Sequence, residues 1–336
     1  MLVDAHVHVW NVTRLDYPWL DSVPVLNRTF TPEQIDRADG ATTHAVFVQA
    51  GCLPRQSLAE ARWVEAQADA WPELSAIVAA ADLRSGAALD AHLDALASLD
   101  VQASPEAASS DAPAFPSVQD APPGQPSGRR VPVAGIRHLL QDESPELLAD
   151  PASTRALVDG LRRLAERGLT FDLCVRHPQL DTAIDLLERV PELPTVLDHV
   201  GKPPVDDTID SASGRSWARA IDRLAALPHA HVKLSGLAAE ASTAESLDAH
   251  VEEFLVHALN AFGPARSMIG SDWPVSALTG AATTFASWRE RVRAAAATAG
   301  CTGDAARSIE SETAVRFYRL PVPRSAGSRA VNSSDD

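Results

Sequence analysis

Two histidines spaced two apart near the N-terminus are the first residues of this sequence whose types could do chemistry. They are His6 and His8, in the run Leu2-Val-Asp-Ala-His6-Val-His8-Val-Trp10. Side chains alternate along an extended strand, so Asp4, His6 and His8 are expected on one face and Val3, Val7 and Val9 on the other. If the valines pack against helices, the histidines point inward. Their spacing, about 7 Å along a strand, lets both imidazoles converge on one divalent ion at roughly 2.0–2.1 Å. A solitary His-x-His is more often a pair of hydrogen-bonded core histidines, so other residues must tip the balance.

Polar residues of matching kinds recur where other β-rich runs end: Asp198-His199, Arg176-His177 and Asp272-Trp273-Pro274. His6, His8, His177, His199 and Asp272 thus fall at strand tips, and they are the types used by a divalent-cation site or by a metal-free acid–base site. Burying so many titratable groups independently would be costly, which favours one shared cluster. Arg137, in Gly135-Ile-Arg137-His138, is in phase with Gly135 and Val133 and so expected inward. There its guanidinium would polarise a carbonyl or neutralise an oxyanion, a salt bridge being the plainer use. Gln49, His138, His177 and Lys202, with the indoles of Trp19 and Trp273, suit the hydroxyls and apolar face of a polyol. A second His-x-His, His229-Ala-His231, precedes its strand instead of following it and reads as structural. His44 is likewise placed ahead of a strand, and His92, His250 and His257 fall in helical stretches.

The elements that would position these groups are legible as period. Eight β-rich runs are expected: Leu2–Val9, His44–Gln49, Leu74–Ala81, Val133–His138, Thr170–His177, Thr195–His199, His231–Ser235 and Met268–Asp272. Amphipathic stretches alternate with them, such as Ser153–Arg167, Ser216–Ala226, Ala244–Ala261 and Thr283–Thr298. Eight strand–helix repeats make a TIM-type (β/α)8 barrel the economical fold, with catalytic groups at the C-terminal strand ends. The barrel is expected to occupy residues 1–322 as one domain. A segment, 101–132, interrupts it with seven prolines among Ala, Ser, Gln and Gly, and is expected to be a disordered insertion. The tail, 323–336, is Ser-rich and expected to fray.

Composition narrows the partners. With 29 basic against 45 acidic residues among 336, the net charge is −16, a field that repels polyphosphate. No compensating basic patch is visible, so neither nucleic acid nor an anionic membrane is an expected partner. Cys52, Cys174 and Cys301 are odd in number and form no CxxC, which points away from a disulfide framework and toward a reducing cytoplasm. Strand-like alternation starting at Leu2 leaves no room for a signal peptide, and no apolar run approaches the roughly 20 residues of a membrane helix.

Five runs in order carry a family likeness: His6-Val-His8 followed by Asp16-Tyr-Pro-Trp19, Arg137-His-Leu-Leu-Gln-Asp-Glu143, Leu197-Asp-His-Val-Gly-Lys-Pro203, Lys233-Leu-Ser-Gly-Leu237 and Gly270-Ser-Asp-Trp-Pro274. On these the sequence resembles the amidohydrolase superfamily, in its amidohydrolase-2 branch of sugar lactonases. The likeness is greatest to the L-fuconolactonases, with L-rhamnonolactonases and pyrone dicarboxylate lactonases as cousins. The resemblance implies a (β/α)8 barrel that hydrolyses a sugar-acid lactone, in carbohydrate catabolism such as L-fucose degradation. It implies a core site of His6, His8, His199 and Asp272, which would hold one divalent ion, zinc first, if a metal is bound, and a substrate-contacting Arg137. Strand four offers Arg137 and His138 where the wider superfamily has a metal-bridging carboxylate, so a binuclear site is not expected; some lactonases of this branch work with no metal at all.

The expected mechanism is water attack on the lactone carbonyl. Asp272 takes the proton and returns it to the ring oxygen, while Arg137, the histidines, His199 among them, and a zinc ion if one is bound stabilise the oxyanion. A dicarboxylate substrate would need several converging arginines, and only Arg137 and Arg176 are placed for that, which favours a neutral sugar lactone. A metal-dependent decarboxylase, a phosphoesterase barrel and a non-catalytic sugar-binding barrel are the rival readings. Whether the chain acts as a monomer or a homodimer is left open.

Overall fold

The computed structural model describes residues 1–100 and 129–321. Most of the expected insertion and the tail fall outside these residues. At the edge of that insertion, residues 129–132 are part of the fold: Val131 is buried, Arg130 donates to the Leu99 carbonyl and Arg129 to those of Ala68 and Trp71.

Eight parallel strands pair in sequence order, and helices lie between them. The first half runs β1 (Leu2–Val7), β2 (Thr42–Val48), α1 (Ser57–Glu65), β3 (Leu74–Ala80), α2 (Ala87–Ala97), β4 (Val133–Leu139), α3 (Pro145–Ala149) and α4 (Pro151–Glu166). The second continues β5 (Thr170–Cys174), α5 (Leu180–Leu187), β6 (Thr195–Leu197), α6 (Ala212–Ala225), β7 (Ala230–Leu234), α7 (Leu237–Glu240), α8 (Ala244–Phe262) and β8 (Ser267–Ile269). After β8 come α9 (Val275–Leu278), α10 (Phe285–Thr298), α11 (Asp304–Arg307) and α12 (Thr313–Tyr318). The ring closes at its mouth, where His8 N donates to the Trp273 carbonyl (2.8 Å) and Asp272 N to that of His6 (2.8 Å). This is the (β/α)8 barrel expected from the period. No helix of the described residues is long and apolar enough to cross a membrane.

The helices form where caps and apolar spacing agree. Asp150, Ser211, Thr243 and Thr284 accept the N3 amides of α4, α6, α8 and α10, satisfying donors a helix start would leave unpaired. The face of α4 that carries Leu157, Leu161 and Leu164 is buried against the strands, each leucine contributing about 1.5–3 kcal/mol.

Two local placements differ from the simple alternation. Val3 and Ala5 pack with Val46, Val48, Ala76, Val78, Met268 and Tyr318 in a cluster built from strands and α12, with no member from α1–α10. That is the barrel floor, so Val3 lies inside and not with the helix-facing Val7 and Val9. Asp4 turns toward the β8 tip, where Ser271 N donates to it at 2.8 Å. The cause is a register irregularity between Asp4 and Val7 in the pairing with β2, which resets the alternation before His6. His44, expected ahead of β2, lies within it. His231 is the second residue of β7, its ring against Phe317 at the bottom, away from the mouth.

Candidate active site

The floor of the mouth is a cluster of buried polar groups contributed by five strands. β1 ends in His6 and His8, whose Nε2 atoms are 3.1 Å apart. The turn after β6 brings Asp198 and His199, and the one after β8 brings Asp272. Asp272 Oδ1 lies 3.8 Å from His6 Nε2, 3.5 Å from His8 Nε2 and 3.8 Å from His199 Nε2, so three imidazoles from two strand tips face one carboxylate oxygen of a third. The other oxygen accepts a hydrogen bond from Ser276 Oγ at 2.8 Å.

Strained backbone makes this convergence possible. Asp272 has φ +54°, and the turn after β6 holds His199 at +53° and the β-branched Val200 at +54°, a region that costs such residues on the order of 1–3 kcal/mol each. Gly236 at φ +75° clears the space for His199: a Cβ there would stand 2.2 Å from its Nδ1.

Each ring is oriented from behind. His8 Nδ1 donates to the Val48 carbonyl at 2.7 Å, which leaves the Nε2 lone pair facing Asp272. His199 Nδ1 is 3.0 Å from Ser235 Oγ. Beneath them Arg137 reaches Asp198 Oδ2 (3.4 Å) and donates to the Gln49 carbonyl, while its Nε–H has no partner among the described residues. Burial lowers the pKa of all three histidines, His199 to about 4 and His6 well below the usual imidazole range. The rings are therefore neutral at pH 7. Burial pushes Asp272 upward, but the facing groups, the His199 ring foremost, more than offset it, and the carboxyl lies below its ordinary value. It is ionised, as a general base must be.

The donor set fits a divalent cation. His6, His8 and Asp272 offer ligand atoms within 4.8 Å of one another, as do His6, Asp198 and His199. Four ligands held tetrahedrally at 2.0–2.1 Å are about 3.3 Å apart, within the 3.1–3.8 Å separations found here.

A cavity of about 530 Å³ opens over this floor, lined by His8, His199, Asp272, Arg137, Trp19 and Lys202 among others. Trp19 is fixed by its Nε1–H to the Ala50 carbonyl (2.8 Å). Lys202 pairs with Glu240 at 3.0 Å, and Arg176 reaches the other oxygen of Glu240 at 3.3 Å. The remaining expected substrate contacts lie elsewhere. Gln49 turns its side chain onto Gly51 N (2.6 Å) and, with His138, borders an adjoining cavity of about 460 Å³. His138 accepts from Leu83 N (3.1 Å) and is 2.8 Å from Glu143, which also takes both ends of Arg84. His177 faces the Lys202 carbonyl at 3.0 Å and lines neither cavity. Trp273, one residue past the inward Asp272, turns the other way and packs edge-on against Phe30.

Sequence reasoning gave no role to Lys233, Asp172 or Tyr318, which meet directly under His6. A lysine inside the apolar run His231-Val-Lys-Leu234 was the available signal.

The sequence profile of the amidohydrolase family matches residues 3–320. An L-fucono-1,5-lactonase of Burkholderia multivorans is 32% identical over 96% of this chain and 98% of its own. Two crystal structures of an amidohydrolase from Burkholderia multivorans, one with bound HEPES and one with bound zinc, share 27% identity over 96% of this chain and all of theirs, with TM-scores of 0.74 and 0.73.

Proposed function

The chain belongs to the amidohydrolase family, and from that premise we propose that it is a lactonase opening an L-fuconolactone-like sugar-acid lactone to the aldonic acid. The observation that carries the proposal is the meeting of three neutral imidazoles with the ionised Asp272 on the floor of a cavity large enough for one sugar ring. Asp272 removes a proton from water as its oxygen bonds to the lactone carbonyl carbon. The acyl carbon–ring oxygen bond then breaks, and Asp272 returns the proton to the departing oxygen. Negative charge on the carbonyl oxygen is stabilised by the His199 ring and by the guanidinium of Arg137, both of which line the cavity. If a divalent ion is bound, zinc being the natural fit for this donor set, His6, His8, His199 and Asp272 would hold it and it would polarise the carbonyl and acidify water.

Charge pairing favours a neutral substrate. Lys202 and Arg176 are already bound to Glu240, and Arg137 to Asp198 and the Gln49 carbonyl. Trp19 offers a face for the apolar side of the sugar, and Glu240 and Lys202 offer acceptors and donors for its hydroxyls. The three cysteines are free thiols buried in the fold, in keeping with a cytoplasmic setting.

The test is acid release from a panel of L-fucono-, L-galactono- and L-rhamnonolactones, with and without a chelator. Hydrolysis well above the spontaneous rate on at least one of them is expected. No acceleration on any would remove the proposal. Decarboxylation of an aromatic acid that disappears on chelation would replace it with the metal-dependent rival.

A further inference from the structure

Lys233 is fully buried on β7, beneath His6. Its Nζ is ion-paired with Asp172, lies 3.0 Å from Asp198 Oδ1, and sits 3.1 Å from His6 Nδ1 in hydrogen-bonding alignment. The Tyr318 hydroxyl, its one proton shared between the two oxygens of Asp172 (2.9 and 3.0 Å), holds that carboxylate in place. An ammonium has donors only, so a ring nitrogen at that distance must present its lone pair. A proton on Nδ1 would set two donors face to face. Asp198 Oδ1 is also near, 3.2 Å from the same nitrogen, but it has no aligned donor among the described residues.

On a neutral ring the proton then belongs to Nε2, which faces His8 Nε2 at 3.1 Å. His8 is ready to accept it, because its own Nδ1–H is committed to the Val48 carbonyl. The one approach that runs against this, Arg137 to His6 Nε2, is 3.5 Å and at the limit of a hydrogen bond.

We propose that Lys233 is a positioning residue that fixes His6 as the Nε2–H tautomer, and so completes a chain of hydrogen bonds from Lys233 through His6 and His8 to Val48. In that state His6 Nε2 has no lone pair for a metal ion. To serve as a ligand, His6 must break its Nε2–H bond and form an Nδ1–H bond. Asp198 Oδ1 then accepts from Nδ1, and Lys233 turns wholly onto the two carboxylates. No net proton leaves the ring. Lys233 and a cation therefore compete for the tautomer of His6: the contact that completes the metal-free site weakens the metal-bound one. This concerns where a proton sits and stands apart from the identity of the substrate.

Histidine nitrogen NMR shifts of the metal-free, ¹⁵N-labelled full chain read the tautomer, with His6 assigned from its loss in His6→Gln. A protonated Nε2 and a bare Nδ1 are expected; a protonated Nδ1 overturns the proposal. Zinc titration calorimetry compares the wild type with the double variant Lys233→Met, Asp172→Asn, which removes a buried charge pair without changing net charge. Zinc should bind the double variant roughly tenfold or more tightly, the scale on which groups behind a ligand tune metal affinity. Equal or weaker binding by a variant with the wild-type circular dichroism spectrum also overturns it. Should that variant not fold, the nitrogen shifts of the wild type decide alone.

Discussion

Gly236→Ala tests whether the position of the His199 ring matters to turnover, without removing any reacting group. The new Cβ would stand 2.2 Å from His199 Nδ1 and 2.4 Å from its Cγ. Ordinary van der Waals contact begins near 3.4 Å, so ring or backbone must yield by about 1 Å. His199 is confined by Ser235 behind its Nδ1 and by Asp272 3.8 Å from its Nε2, so the ring cannot recoil without changing its approach to Asp272. A displacement of about 1 Å at a reacting centre costs on the order of 10²-fold in rate, and a fall of kcat by that factor is expected. Alanine at φ +75° adds about 1–2 kcal/mol of backbone strain, and the overlap about 1–3 kcal/mol more. Gly168→Ala isolates the first contribution, since φ is +68° there and the nearest atom to a built Cβ is Arg319 Nη1 at 3.6 Å. Lactone hydrolysis by pH-stat, run well below the melting temperature of both variants, with urea unfolding alongside, separates rate from stability. A Gly236→Ala enzyme that is destabilised yet turns over within about threefold of wild type would refute the claim that His199 acts on the reacting atoms.

Asp272→Asn should keep its hydrogen bond to Ser276 and its fold but lose general acid–base help, lowering turnover by roughly 10²-fold or more; near-normal kcat would take Asp272 out of the mechanism. Glu240→Gln should free Lys202 and Arg176 to bind carboxylates, so that inhibition by a dicarboxylate such as glutarate strengthens by about tenfold; unchanged inhibition would mean that Glu240 does not set the charge preference of the cavity. Glu143 is pushed up by burial, but hydrogen bonds from His138 and Arg84 lower it further, to a pKa of about 2. Its stabilisation is therefore complete above the unfolded value of about 4.3 and is lost as pH falls toward 2. Urea unfolding should show Glu143→Gln about 1 kcal/mol less stable than wild type at pH 7 and nearly equal to it near pH 2, and a constant gap would contradict the pairing.

How much of this was legible depends on the range of the interaction. Strand bounds came within a few residues of the period-two runs, and helices such as α4 and α8 followed their apolar spacing, because the patterns are set by side chains two positions apart in a strand and three or four apart in a helix. Short elements escaped. Residues 237–240 and 275–278 are single helical turns with too few residues to show a period. His138 illustrates a different failure. Its place in β4 was evident, but its partners Glu143 and Arg84 lie on separate loops, and only their arrival decides that the ring serves a salt-bridge network outside the main cavity.

By itself the chain determined that eight βα units form and that His6, His8, His199, Arg137 and Asp272 fall at their C-terminal tips. Alternation and strand ends are local properties, fixed by backbone geometry over a few residues. Tertiary structure decided which of those tips meet. Ring closure through His8 and Trp273 brings β1 against β8, the irregularity after Asp4 resets which β1 residues face in, and left-handed turns at His199 and Asp272 aim their side chains at each other. Lys233, Asp172 and Tyr318 come from β7, β5 and α12, as much as 146 residues apart in sequence. No local pattern couples them, because each is buried only by the closed barrel, and a buried charge finds its partner only where the fold excludes water.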